Sequence, residues 1–90
     1  MANPRSLVSY RVEQIQNYGF VKVKLADLLQ DRGITRNRLS ALTGVKYTTI
    51  DHYYKADHIE MADLNFLAKV CYVLDCRIED ILEYEVSEEP

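Results

Sequence analysis

One glycine between two short apolar-periodic segments constrains this chain more than any other feature. Residues 35–56 read Thr-Arg-Asn-Arg-Leu-Ser-Ala-Leu-Thr-Gly-Val-Lys-Tyr-Thr-Thr-Ile-Asp-His-Tyr-Tyr-Lys-Ala. Thr35 is placed to cap a short helix whose Leu39 and Leu42 face inward. Ser40, four residues before Gly44, is small enough for a second helix to approach closely. Gly44 can take the positive φ that a tight turn demands. Val45 plugs the corner. Ile50 then buries the next helix, expected over about residues 47–55, with Tyr53 or Tyr54 as its second inward position.

The flanking segments supply the rest of a small domain over residues 19–86, preceded by an extension (1–18) and followed by an acidic tail (87–90). In residues 7–18, Val8, Val12 and Ile15 fit a helix, whereas Val8, Tyr10 and Val12 alternate as in a strand; the helix is preferred. Phe20 to Lys24 alternate apolar and charged residues, which predicts a short strand. Leu25, Leu28 and Leu29 then form a helical stripe closed by Gly33. Asp63 is placed to cap a fourth helix with an inward stripe of Leu64, Leu67, Ala68, Cys71 and Leu74. After a tight connection at residues 75–77, Ile78, Ile81 and Leu82 predict a short fifth helix with Glu79 and Asp80 in its first turn. Residues 83–86 alternate again. The expected fold is therefore all-α with five helices, plus a small two-stranded ribbon from residues 20–24 and 83–86. Lys22 and Lys24 complement Glu83 and Glu85, and the strands pair antiparallel within one chain or between subunits. Each opposite-charge pair contributes about 0.2–1 kcal/mol, enough to select a partner but not to hold a fold.

The two helices around Gly44 form a helix-turn-helix, whose second helix fits the major groove of B-DNA. The net charge of −3 does not oppose this, because it is unevenly distributed. Residues 1–56 hold nine basic and four acidic side chains, whereas residues 57–90 hold two basic and ten acidic ones. The candidate base-reading residues on the second helix are Tyr47, Thr48, Asp51 and His52. The candidate phosphate contacts are Arg36 and Arg38 at the start of the first helix, with Lys46, Thr49 and Lys55 on the second. The partner is then double-stranded DNA.

Other chemistries find little support. No apolar run approaches the roughly 18 residues of a membrane span. Residues 1–5 carry no secretion-signal pattern, and two cysteines suit a reducing cytoplasm. His52, His58, Cys71 and Cys76 do not have zinc spacing, and both cysteines read as small core residues. There is no Gly-rich phosphate loop. His58-Ile59-Glu60 resembles the His-x-Glu of zinc deaminases, but the Pro-Cys-x-x-Cys is missing. No enzyme activity, metal or cofactor is expected.

From about Val21 to Val86 the chain resembles the Cro/phage-repressor (Xre-like) helix-turn-helix proteins, whose domain is the five-helix lambda-repressor-like fold. The frame Leu39-Ser40, Gly44-Val45 and Thr49-Ile50 carries the likeness. Leu67 to Cys76, followed by Glu79 to Tyr84, resembles a bacterial subgroup with the pattern LxxVCxxLDC and EDxLEY. The resemblance implies a cytoplasmic transcriptional regulator, a repressor, that binds a palindromic operator as a homodimer. It implies base contacts from Tyr47, Thr48 and His52, and phosphate contacts from Arg36, Lys46 and Lys55. The chain departs from the family pattern at Tyr54, at Lys46 in place of a capping Ser or Thr, and at Ala56 in place of Gly. Ala56 would be strained at positive φ, so a differently shaped loop is expected after the second helix of the motif. The alternative is a protein-interaction module of antitoxin type on the same fold.

Overall fold

The computed structural model describes residues 18–56 and 59–86. The acidic tail and, apart from Tyr18, the helix expected over residues 7–18 lie outside them. Along the chain run β1 (Phe20–Val23), α1 (Leu25–Arg32), α2 (Arg36–Thr43), α3 (Tyr47–Lys55), α4 (Leu64–Leu74), a 3₁₀ turn (Ile78–Asp80) and β2 (Leu82–Glu85). Leu25, Leu29, Leu39, Ile50, Val70 and Ile81 are fully buried at the centre, so every helix, and Ile81 just past the 3₁₀ turn, donates to one core.

Local chemistry sets the helix ends. Gly33 ends α1 in the left-handed region, with φ 66°. The Thr35 hydroxyl accepts from the Arg38 backbone N–H at 3.0 Å and starts α2. Gly44 ends α2 at φ 74° and donates its N–H to the Ser40 carbonyl. The Asp63 carboxylate accepts from the Asn65 N–H at 2.8 Å and starts α4. Ala56 is extended, with φ −84° and ψ 139°, so the chain leaves α3 without left-handed strain.

The ribbon forms within one chain and is antiparallel. Phe20 faces Glu85, Val21 faces Tyr84, Lys22 faces Glu83 and Val23 faces Leu82. Lys22 thus meets its acidic complement, and the Lys24 ammonium lies 3.7 Å from the Glu83 carboxylate.

Three expectations are corrected. There are four α-helices among the described residues and no fifth. Residues 78–80 make a single 3₁₀ turn, and Leu82 belongs to a strand. The Asp80 carboxylate accepts from the Arg77 N–H at 2.9 Å, and the Ile81 carbonyl is taken by the Lys24 N–H. Pairing with β1 claims the backbone groups a longer helix would need. Second, Leu42 does not face inward; it is 41% exposed while Leu39 is fully buried. α2 has eight residues and gives the core one position, leaving Leu42 on the rim of a shallow recess with Ala68 and Tyr72. Third, the inward face of α4 is rotated. Phe66, Leu67, Val70 and Leu74 are buried, whereas Leu64 is 76% exposed and Ala68 is exposed. Phe66 decides this rotation. Its ring stacks on Tyr53 with centroids 4.3 Å apart, and an aromatic pair buries more apolar surface than Leu64 could.

Candidate nucleic-acid interface

The corner between α2 and α3 is stitched by side chains as well as by Gly44. The Ser40 hydroxyl donates to the Val45 carbonyl at 2.6 Å. The Thr43 hydroxyl donates to the Leu39 carbonyl at 2.8 Å and accepts from the Val45 N–H at 3.2 Å. Ser40 is therefore more than a small residue: it fixes the carbonyl at which the chain turns from one helix into the next.

α3 is anchored from one side only. Ile50 and Tyr53 are buried, and the Tyr53 hydroxyl accepts the Asp63 N–H at 3.0 Å. Tyr54 lies half-buried at the rim. On the other side Tyr47, Thr48, Thr49, His52 and Lys55 are exposed, with Lys46 at the helix start and Arg38 on α2. His52 keeps its ring edge-on to Tyr53, 5.7 Å between centroids. The outward face thus combines an aromatic hydroxyl, two aliphatic hydroxyls, an imidazole and flanking cations. These are groups that can donate to or accept from base edges and phosphates.

Arg36 and Asp51 are placed with each other, and this arrangement had no sequence signal. The Arg36 guanidinium donates to one Asp51 carboxylate oxygen at 2.5 Å, and the Lys55 ammonium holds the other at 3.1 Å. The guanidinium also lies over the Tyr54 ring at 4.3 Å and within 5.8 Å of the Tyr47 ring. Gln30 of α1 reaches the Tyr54 hydroxyl at 3.1 Å. Three helices are linked through one polar cluster. The hydrogen bond from Lys55, supported by the Arg36 pair against partial desolvation, holds the Asp51 carboxyl below the usual carboxylate range. Sequence reasoning missed Tyr54 as the platform under Arg36 and missed Gln30 altogether. Only the Asp51–Lys55 spacing of four is legible as a helix-surface pair.

The charge of this region is one-sided. Residues 36–55 contain Arg36, Arg38, Lys46 and Lys55 against the single carboxylate of Asp51. That carboxylate is already compensated twice, so the exposed surface of the motif presents positive charge. Among the described residues, no cluster of three or more His, Cys, Asp or Glu side chains could hold a metal ion. No described helix is long and apolar enough to cross a membrane.

Comparison with known proteins agrees with this geometry. Residues 24–87 match the Cro/C1-type HTH DNA-binding domain. The chain belongs to this family. The match begins just before α1 and runs past β2, so it takes in all four helices of this Cro/C1-type domain. The chain is also similar to a protein of Bacillus subtilis (strain 168) named SPbeta prophage-derived uncharacterized HTH-type transcriptional regulator YopS. The two are 29% identical over 63 residues, covering 70% of this chain and 84% of the relative. No solved structure matches the chain.

Proposed function

We propose that this Cro/C1-type domain is a sequence-specific transcriptional regulator that reads the major groove with α3 and represses by occupying its site. The observation that carries the reading is the outward face of α3. A nine-residue helix held by Ile50 and Tyr53 leaves Tyr47, Thr48 and His52 exposed together. Those three are assigned to base edges. Arg38, Lys46, Thr49 and Lys55 are assigned to phosphates, as are the guanidinium donors of Arg36 that Asp51 does not use. Asp51 contributes by ordering Arg36 and Lys55, and a base contact from its own carboxylate competes with those two ion pairs.

One short helix touches only a few base pairs, too few for an operator-level specificity ratio. The reading therefore includes a homodimer on a palindromic operator, with two copies of α3 about one helical turn apart. The similarity to a named transcriptional regulator supports a regulatory role. The Leu67–Cys76 and Glu79–Tyr84 patterns support a place in the bacterial subgroup that carries them, and a cytoplasmic site of action.

Selection of bound sites from random duplex DNA tests this. The expected product is a palindrome with half-site centres about 10 base pairs apart. Affinity should fall steeply with salt, log K dropping about 0.9 for each phosphate neutralised per tenfold change. Unenriched sequences, or an affinity indifferent to salt, would refute the reading.

A further inference from the structure

Cys71 and Cys76 take no part in the DNA-facing surface, yet the fold places them in a particular relation. Asp75 ends α4 in the left-handed region, with φ 51° and ψ 53°. Its N–H and that of Cys76 both donate to the Cys71 carbonyl, the latter at 3.1 Å. A helix end closed in this way brings the side chain of its last full turn against the side chain just past the left-handed residue. In most helices that meeting is a hydrophobic contact. Here both partners are cysteines. Both are half-buried free thiols against the core, and the Cys76 sulfur also lies 4.0 Å from the Val70 carbonyl.

We propose that Cys71 and Cys76 form a reversible intramolecular disulfide site, closed by exchange with a small disulfide of the glutathione type. A bridge needs the two Cα atoms within about 7 Å and the Cβ atoms facing one another. The shared carbonyl, and the side-chain contact that this helix end enforces, supply that approach. In the first step, one protein thiolate attacks a sulfur of the small disulfide. A mixed disulfide forms and one small thiolate leaves. In the second step, the other cysteine loses its proton to solvent and attacks the protein sulfur of the mixed disulfide. The second small thiolate leaves, and both released thiolates take up protons. Two protein thiols are oxidised to one disulfide while one small disulfide is reduced to two thiols.

Burial pushes the Cys76 thiol up to about 11, and the Cys71 sulfur beside it acts in the same direction. Asp80 adds to that effect and Arg32 opposes it. Because the thiolate is the attacking form, this makes exchange slow at neutral pH, and the bridge closes only under a sustained oxidising poise. Once closed, it ties the end of α4 to the segment that carries the 3₁₀ turn and β2.

The test is incubation of the full chain with oxidised glutathione, alkylation of remaining thiols and intact mass measurement. The expected product is a monomer lighter by two hydrogens, with no alkylated cysteine, restored by dithiothreitol. Under the same conditions C71S and C76S should each end as a stable single glutathione adduct. The bridge should also form at a lower ratio of oxidised to reduced glutathione in the folded chain than in urea, by about tenfold or more, because the native turn holds the thiols together. Stable glutathione adducts on the wild type, disulfide-linked dimers, or equal equilibria with and without urea would overturn the proposal.

Discussion

Replacing Gly44 by alanine should destabilise the domain by about 1 kcal/mol, and the cost should be conformational. Gly44 sits at φ 74°, and a Cβ built there meets nothing within 4 Å. No clash enters, so two backbone terms decide the outcome. Holding an L-residue in the left-handed region costs about 1–2 kcal/mol. Losing glycine's freedom in the unfolded chain returns about 0.4–1 kcal/mol. For a domain of this size, 1 kcal/mol lowers Tm by about 4–8 °C. Urea unfolding followed by circular dichroism measures it directly, with an unchanged slope showing that the effect is on stability. The side chain sets the order of cost. Asparagine, which tolerates left-handed backbone, should lose least, alanine more, and valine most. Gly19→Ala gives the contrast: it also has a left-handed φ of 80°, but its Cβ would fall 2.2 Å from the Glu85 carbonyl oxygen, so it should cost more than Gly44→Ala and loosen the ribbon. Equal losses for the two glycines, or equal losses for alanine and valine at 44, would refute the reasoning.

Tyr47→Ala with His52→Ala should relax sequence preference, at about 1–3 kcal/mol of discrimination for each base contact removed, read by competition between selected and scrambled duplexes. Arg38→Ala should weaken binding to all duplexes alike and lower the salt slope by about one, since an exposed phosphate contact carries no sequence information. Arg36→Ala should behave differently. It also removes the cation that pairs Asp51 and covers Tyr54, so thermal unfolding should shift together with affinity, whereas Arg38→Ala should leave thermal unfolding unmoved. The Asp51 carboxyl is held below its ordinary 3.8, so its contribution is present above that value and is lost as pH falls through the lower folded-state value. Asp51→Asn should remove that part of the acid sensitivity, visible in unfolding midpoints followed as the pH is lowered from above 3.8 to below it.

The parts of the fold legible in the sequence were those written in local chemistry. Gly33, Thr35, Gly44 and Asp63 act on the few residues beside them, and α1 ends, α2 begins and ends, and α4 begins where those signals stand. The ribbon was legible because Lys22 and Glu83 bear complementary charge on alternating strands. The rotation of α4 was not, because Leu64 and Phe66 compete for the core and only the position of Tyr53 decides between them. The missing fifth helix has a similar cause: Ile78, Ile81 and Leu82 suit a helix until Lys24 takes the Ile81 carbonyl and β1 pairs with Leu82. At the candidate interface the exposed face of α3 followed from its spacing. The Arg36–Asp51 pair did not, because it spans fifteen residues across a turn whose angle had first to be known.

The pairing of β1 with β2 also has a consequence in time. Val23 faces Leu82 and the Lys24 N–H bonds to the Ile81 carbonyl, so β1 can form its ladder with β2 only once residues 82–85 have been synthesised. During translation, the helices between them can collapse on Leu39 and Ile50, but that core stays open on the side Ile81 will fill. Completion of the domain is therefore an event after synthesis of its final strand, with the long loop closed late, when the helices have already offset part of its entropy. A free chain truncated before residue 82 should stay protease-sensitive, whereas one that includes residues 82–85 should be protected in one step.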